Sequence, residues 1–224
     1  MAQLEVIDIT KVYQIGGDEI KAVDGVSFNI ERGEFVSIVG HSGSGKTTLI
    51  SLIGGLLRPT SGKVLFEGID IFSLDDNTLS EYRNEKIGYM FQFTTLIPTL
   101  TVVENVMLPS LFRLNKRASL NHNVESLVEL VGLGDKKDLY PSQLSGGQQR
   151  RVAIVRALVN EPDIILADEP TGDLDEETEK EVMHLFRELN ERKGVTIILI
   201  THDIELSRQA RRHLRMINGR LFEE

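Results

Sequence analysis

The first thirty residues alternate apolar and polar positions. "LEVIDITKVYQI" and "AVDGVSFNI" have the period of half-buried strands, with "GGDE" between them as a turn. "FVSIVG" is a short apolar strand that enters a glycine-rich loop and then a helix starting near Lys46. "KVLFEGIDI" predicts a further antiparallel pair, "NTLSEYRNE" a helix and "IGYMF" a strand. From about 93 to 160 the period becomes helical, in "TVVENVML", "LNHNVESLVELVGL" and Gln148 through Val159. "DIILADE" and "VTIILITHD" then flank the helical "EETEKEVMHLFRELNERKG". Strand, helix, strand at this spacing is a βαβ unit, and unbroken apolar runs suit a parallel sheet covered on both faces. "HLRMINGRLFEE" predicts a hairpin turning at Asn218-Gly219. The expected architecture is α/β, one domain over 1–224. It has a mainly parallel sheet, an N-terminal antiparallel β subdomain and an α-helical subdomain inserted at about 93–160.

Composition narrows the function. With 224 residues, 41% of them hydrophobic, the chain has enough apolar content for a large core. A net charge of -9 argues against a sequence-independent grip on nucleic acid, and no nucleic-acid partner is expected. The basic "RQARRHLR" near the end reads as a solvated helix face. Cysteine is absent, so disulfides, thiolate metal sites and thiol nucleophiles are excluded. The opening "MAQLEVIDIT" is strand-like rather than a signal peptide, and no apolar run approaches the roughly 20 residues that span a bilayer. If the protein serves a membrane, another chain supplies the membrane part.

"GHSGSGKT", comprising Gly40, His41, Ser42, Gly43, Ser44, Gly45, Lys46 and Thr47, fits G-x-x-x-x-G-K-[ST] and is followed by Thr48. It lies between a predicted strand and a predicted helix, where a phosphate cradle belongs and a Gly-Ser linker does not. Backbone N–H groups of such a loop converge on a polyphosphate; Lys46 supplies a cation and Thr47 a hydroxyl for Mg²⁺. Asp168 ends an apolar strand and is placed to hold the metal; Glu169, next along, can take a proton from an attacking water. His202 ends the following strand within reach of a γ-phosphate, and Gln92 follows "IGYMF" with a neutral side chain able to reach metal and water. A second glycine loop, Ser145-Gly146-Gly147 in "LSGGQQRR", also opens a helix and would also suit an anion.

Together these segments resemble the ATP-binding cassette family over nearly the whole chain, in the family's order. "GHSGSGKT" resembles its Walker A loop and "MFQ" its Q-loop. "LSGGQ" (Leu144, Ser145, Gly146, Gly147, Gln148) resembles its signature. "IILADE" resembles its Walker B strand, "GDLD" with Asp173 and Asp175 its D-loop, and "ITHD" its switch histidine. Tyr13 lies where the family places an aromatic that stacks on adenine, a contact typically worth roughly 1–3 kcal/mol. The resemblance implies a P-loop NTPase core, ATP and Mg²⁺ as ligands, and hydrolysis assigned to Glu169, His202, Lys46 and Gln92. Thr47, Gln92 and Asp168 would hold the metal. It also implies a head-to-tail dimer, with a second copy or a homologous subunit, in which the signature of one chain meets the γ-phosphate held by the other.

"GYMFQFTTLIPTLTVVENVMLP" and "LADEPTGDLD" look most like ATPases of the lipoprotein-releasing, macrolide-export and cell-division type. That likeness implies an integral membrane permease as partner, export or extraction as the task, and a cytoplasmic location on the inner face of the cell membrane. His41 stands where proline is frequent, and Asp173 where that subgroup often has asparagine. The alternative is a soluble cassette ATPase of iron–sulfur assembly type. A chromosomal cassette protein would need a long coiled coil between Lys46 and Ser145, a translation-type one a second cassette, and a GTPase an N-K-x-D motif; none is present. "FTTLIPTL", with Phe93, Leu96, Ile97 and Leu100 apolar around Pro98, is expected to be an exposed loop waiting for the permease.

Overall fold

A computed structural model describes residues 2–92, 95–113, 120–172 and 174–224. In chain order, β1 (Leu4–Ile15) and β2 (Asp18–Ile30) form a long antiparallel pair, and β3 (Phe35–Val39) leads into α1 (Lys46–Ile53). β4 (Ser61–Phe66) and β5 (Ile69–Asp70) follow, then α2 (Asp76–Glu81), a π-helical turn over Tyr82–Lys86 and β6 (Ile87–Met90). Next come α3 (Val102–Met107), α4 (Leu120–Leu130) and α5 (Gly146–Leu158). The chain ends with β7 (Ile164–Asp168), α6 (Glu176–Lys193), β8 (Thr196–Thr201), α7 (Ile204–Ser207), β9 (Arg212–Ile217) and β10 (Arg220–Glu223).

Two sheets result. One is antiparallel, in the order β2-β1-β4-β5; the other runs β10-β9-β3-β8-β7-β6 and is parallel except for the terminal hairpin strand β10. The expected fold class is the observed one. In the parallel sheet the side-chain alternation of a strand sorts residues onto two cores. Val36, Ile38, Ile164, Leu166, Ile198 and Ile200 face the cluster that contains α1 and the antiparallel sheet. Phe35, Ile165, Ala167, Ile197 and Leu199 face the cluster built from α3 to α6. Burial on both faces is why these strands read as unbroken apolar runs rather than as alternation.

Local chemistry sets the ends of the elements. α6 begins at Asp175, whose carboxylate accepts from Thr178 N–H, and stops at Gly194 in the left-handed region at φ 66°. Glutamates in its first turn and Arg192 and Lys193 in its last complement the helix dipole. α5 starts two residues earlier than the hydrophobic period indicates. Ser145 and Gln148 form a reciprocal capping box there, which stabilises a helix start on two glycines.

Two expectations fail. "RQARRHLR" is not a helix face: it runs from the end of α7 into β9. Its arginines pair with acids, Arg208 with Glu205, Arg211 with Glu191 and Arg212 with Glu34 and Glu223. The loop before α3 is also not a free apolar surface. Leu96 is only 9% exposed and packs in the helical cluster with Val102 and Val106. Fully buried Asn105 explains this: its Oδ1 accepts from Ile97 N–H, and its Nδ2 donates to the carbonyls of Ile97, Leu100 and Thr101. One side chain thereby satisfies the backbone of a loop that has no secondary structure. Ile97 stays exposed; Phe93 lies outside the described residues.

Candidate active site

The loop Gly40–Gly45 joins β3 to α1 at the C-terminal edge of the parallel sheet. It lines a cleft of about 920 Å³ with Lys46, Thr47, Thr48, Gln92, Asp168, Glu169 and His202. Ligand sites of open α/β sheets lie at this edge because adjacent strands there deliver their loops to one crevice. β7 and β8, neighbours in the sheet, carry Asp168–Glu169 and His202 to it, and β6 brings Gln92. Residues more than 160 positions apart thus converge.

Gly45 shows why the loop is glycine-rich. Its φ is 105°, and a Cβ there would lie 2.0 Å from the carbonyl oxygen of Ala22. The antiparallel sheet therefore presses against the loop, and no side chain fits between them.

Lys46 is buried and donates through Nζ to the carbonyls of Gly40 at 2.7 Å and His41 at 3.1 Å. Burial lowers its pKa, opposed by the charges of Glu169 and Asp168. Asp168 is pushed up, first by burial and also by Glu169, while its hydrogen bond with Thr47 and the charge of Lys46 pull it down. The Oδ1 atom of Asp168 is buried without a hydrogen-bond partner, as is Ser44 Oγ. An orphan carboxylate oxygen beside a threonine hydroxyl is a fitting half-shell for Mg²⁺, which favours a few protein oxygens completed by phosphate and water. Among the described residues no cluster of three His, Cys, Asp or Glu could hold a metal alone.

Glu169 adopts φ 48°, in the left-handed region that non-glycine residues rarely occupy. The turn is pinned by its N–H to Ile200 O at 2.9 Å and by Gly172 N–H to its own carbonyl at 3.2 Å. This conformation brings Glu169 Oε1 within 3.0 Å of His202 Nδ1. The pair combines a proton acceptor with an exposed imidazole beside the cleft.

Other candidates lie elsewhere. Leu144 to Gln148 do not line this cleft; Leu144 is core, and Ser145 and Gly146 are exposed at the N-terminus of α5. Tyr13 is half-buried opposite Ile20, with the Lys11 ammonium 5.5 Å from its ring centre, and is not among the cleft-lining residues. Asp175 is spent on capping α6, and Asp173 lies outside the described residues. Ala22, Ile204 and Arg215 to Ile217, which do line the cleft, were not singled out by motif. Arg215 to Ile217 arrive because β9 pairs with β3, setting Arg215 opposite Val39; Ala22 comes from β2 and Ile204 from α7. No local signal encodes that placement.

The ABC transporter family profile matches residues 23–172. The lipoprotein-releasing system ATP-binding protein LolD of Myxococcus xanthus is 43% identical, with all of both chains covered. The macrolide export ATP-binding/permease protein MacB of Rhodopirellula baltica is also 43% identical, over 99% of this chain but 33% of its own length. A dimeric post-hydrolysis structure of the cassette MJ0796, a protein of Methanocaldococcus jannaschii, bound to ADP and Pi, superposes with a TM-score of 0.91. It is 41% identical and 98% of each chain is covered. Cradle, paired carboxylates, histidine and relatives agree: the chain belongs to the ABC transporter family, as an ATP-binding subunit that hydrolyses ATP.

Proposed function

We propose that two copies of this chain close head to tail around two ATP molecules and drive a separate membrane permease, in the export or extraction of a substrate. The observation that carries the reading is the division of the site. The cradle and its acids share one cleft, whereas Ser145 and Gly146 stand exposed outside it, with Gly147 half-buried beside them. A signature that does not reach its own cleft is free to complete another copy's. The dimeric MJ0796 structure, bound to ADP and Pi, supports the pairing of two copies. The names of LolD and MacB support transport, and with it a position on the inner face of the membrane, rather than iron–sulfur assembly.

In this reading Lys46 exchanges its two carbonyl partners for β- and γ-phosphate oxygens. Thr47, Asp168 and Gln92 would hold Mg²⁺, which when bound would neutralise phosphate charge. Glu169 accepts the proton of the attacking water. His202 keeps Nδ1 on Glu169 and offers Nε2 to the γ-phosphate. Tyr13 stacks on adenine, and Asp175 of the D-loop faces the seam. The helices α3 to α5 act as an inserted subdomain.

The permease is assigned to a groove of about 600 Å³ lined by Leu56, Tyr89, Phe91, Leu108, Phe112 and Arg156, among others. Its floor is apolar. The Arg156 guanidinium bonds only to neutral Thr95, through O and Oγ1, among its described partners. A short amphipathic helix with a carboxylate complements both features. Phe91 precedes Gln92, so the groove and the cleft share a segment. Phe112 is 71% exposed, so Phe112→Asp should leave folding and basal ATPase activity unchanged while abolishing recruitment to membranes containing the partner permease. Undiminished recruitment in a membrane pull-down would remove this groove from the docking surface.

A further inference from the structure

Arg150 lies in the signature helix but does not behave as a helix-surface arginine. It is 5% exposed, on α5 one turn after the Ser145 cap. Its Nη1 donates to Phe91 O at 3.2 Å and to Gln92 O at 2.8 Å, and its Nη2 donates to Gly172 O at 3.1 Å. Three segments far apart in sequence therefore meet on one guanidinium: the signature helix, the strand exit that carries Gln92, and the turn after Glu169. The last link is short, because Gly172 N–H is itself bonded to Glu169 O at 3.2 Å. Phe91, held by the same group, stacks on Tyr89 with 4.2 Å between ring centres in the wall of the groove.

We infer that Arg150 is a positioning residue for hydrolysis, a clamp that fixes Gln92 and the Glu169 turn to the signature helix. The inference rests on the roles proposed for Gln92 and Glu169. The chemistry is specific to arginine. A planar fork donates in two directions at once and is always charged, so it can hold carbonyls of two segments at a fixed separation. Lysine offers a point charge that cannot set that separation, and glutamine reaches less far with fewer donors. The bonds join backbone rather than side chains, so they set where each segment lies and leave the Gln92 and Glu169 side chains free for the cleft. A displacement of α5 toward a neighbouring copy would move both with it.

The test compares wild type with Arg150→Lys and Arg150→Gln, purified and normalised for folded protein by melting temperature and ATP-binding stoichiometry. Arg150→Lys keeps charge and aliphatic stem, and guards against a failure to fold in Arg150→Gln. Loss of charge-assisted hydrogen bonds to two segments should lower kcat by about 10-fold or more, with ATP affinity within about 3-fold of wild type. Hydrogen exchange should rise in the peptides covering Phe91–Gln92 and Gly172 and stay unchanged over Gly40–Thr48. Gln92→Ala and Glu169→Gln are the references. If the references slow hydrolysis and Arg150→Lys keeps wild-type kcat and exchange, the clamp is refuted while the site assignment stands. If neither reference slows hydrolysis, the site assignment falls first. A lower melting temperature with unchanged kcat per folded molecule would also refute the clamp, leaving Arg150 as packing.

Discussion

Glu169→Gln will slow ATP hydrolysis by roughly 10²–10⁴-fold while leaving ATP bound, the loss typical of removing a positioned general base. The two side chains have the same shape, so the turn at φ 48° and its bonds to Ile200 and Gly172 have no reason to change. What disappears is the carboxylate, beside His202 at 3.0 Å, that we propose as acceptor of the attacking water's proton. Lys46 and the loop Gly40–Gly45 are untouched, so binding should survive. A dimer closed by ATP contacts then has no route back, and light scattering should show an ATP-dependent doubling of mass that persists. Turnover near the wild-type rate would mean that Glu169 is not the base.

Leu96→Asp should destabilise the protein itself rather than its recruitment. Leu96 is packed with Val102 and Val106 behind a loop that Asn105 locks. Truncating a buried leucine costs about 2–5 kcal/mol, and burying an unpaired carboxylate adds to that. Against a typical total of roughly 5–15 kcal/mol this is a large fraction. For a domain of this size, a loss of about 5 kcal/mol lowers the melting temperature by roughly 10–20 °C. Ile97→Asp, at an exposed neighbour, should change it little. A wild-type melting temperature in Leu96→Asp would place that side chain outside the core.

What could be read in the sequence follows from what is local. The parallel strands, the βαβ unit and the cradle are written in contiguous residues, and each has one favourable structural solution. The turn at Asn218-Gly219 was equally legible, since both residues adopt the positive φ that such hairpins require. The helix start at Ser145 was misplaced because capping, not hydrophobic period, decides it. Leu96 was misread because an apolar loop looks the same whether it waits for a partner or is tied down, and what decides is Asn105, nine residues on. Arg150 and the strand-β9 wall of the cleft were invisible for a stronger reason. Their roles arise from tertiary neighbours in strands and turns far along the chain.

The central claim is that each ATP site is shared between two copies, and mixing defective chains tests it most directly. One chain carries Lys46→Ala and the other Ser145→Arg, with separate tags so that only heterodimers are isolated. Shared sites leave this heterodimer one intact site, built from Lys46 of one chain and Ser145 of the other, and it hydrolyses ATP. Placing both substitutions on one chain and pairing it with wild type spoils both shared sites, and activity is lost. Activity in the second heterodimer and none in the first would contradict the account, because it would mean that each chain completes its own site.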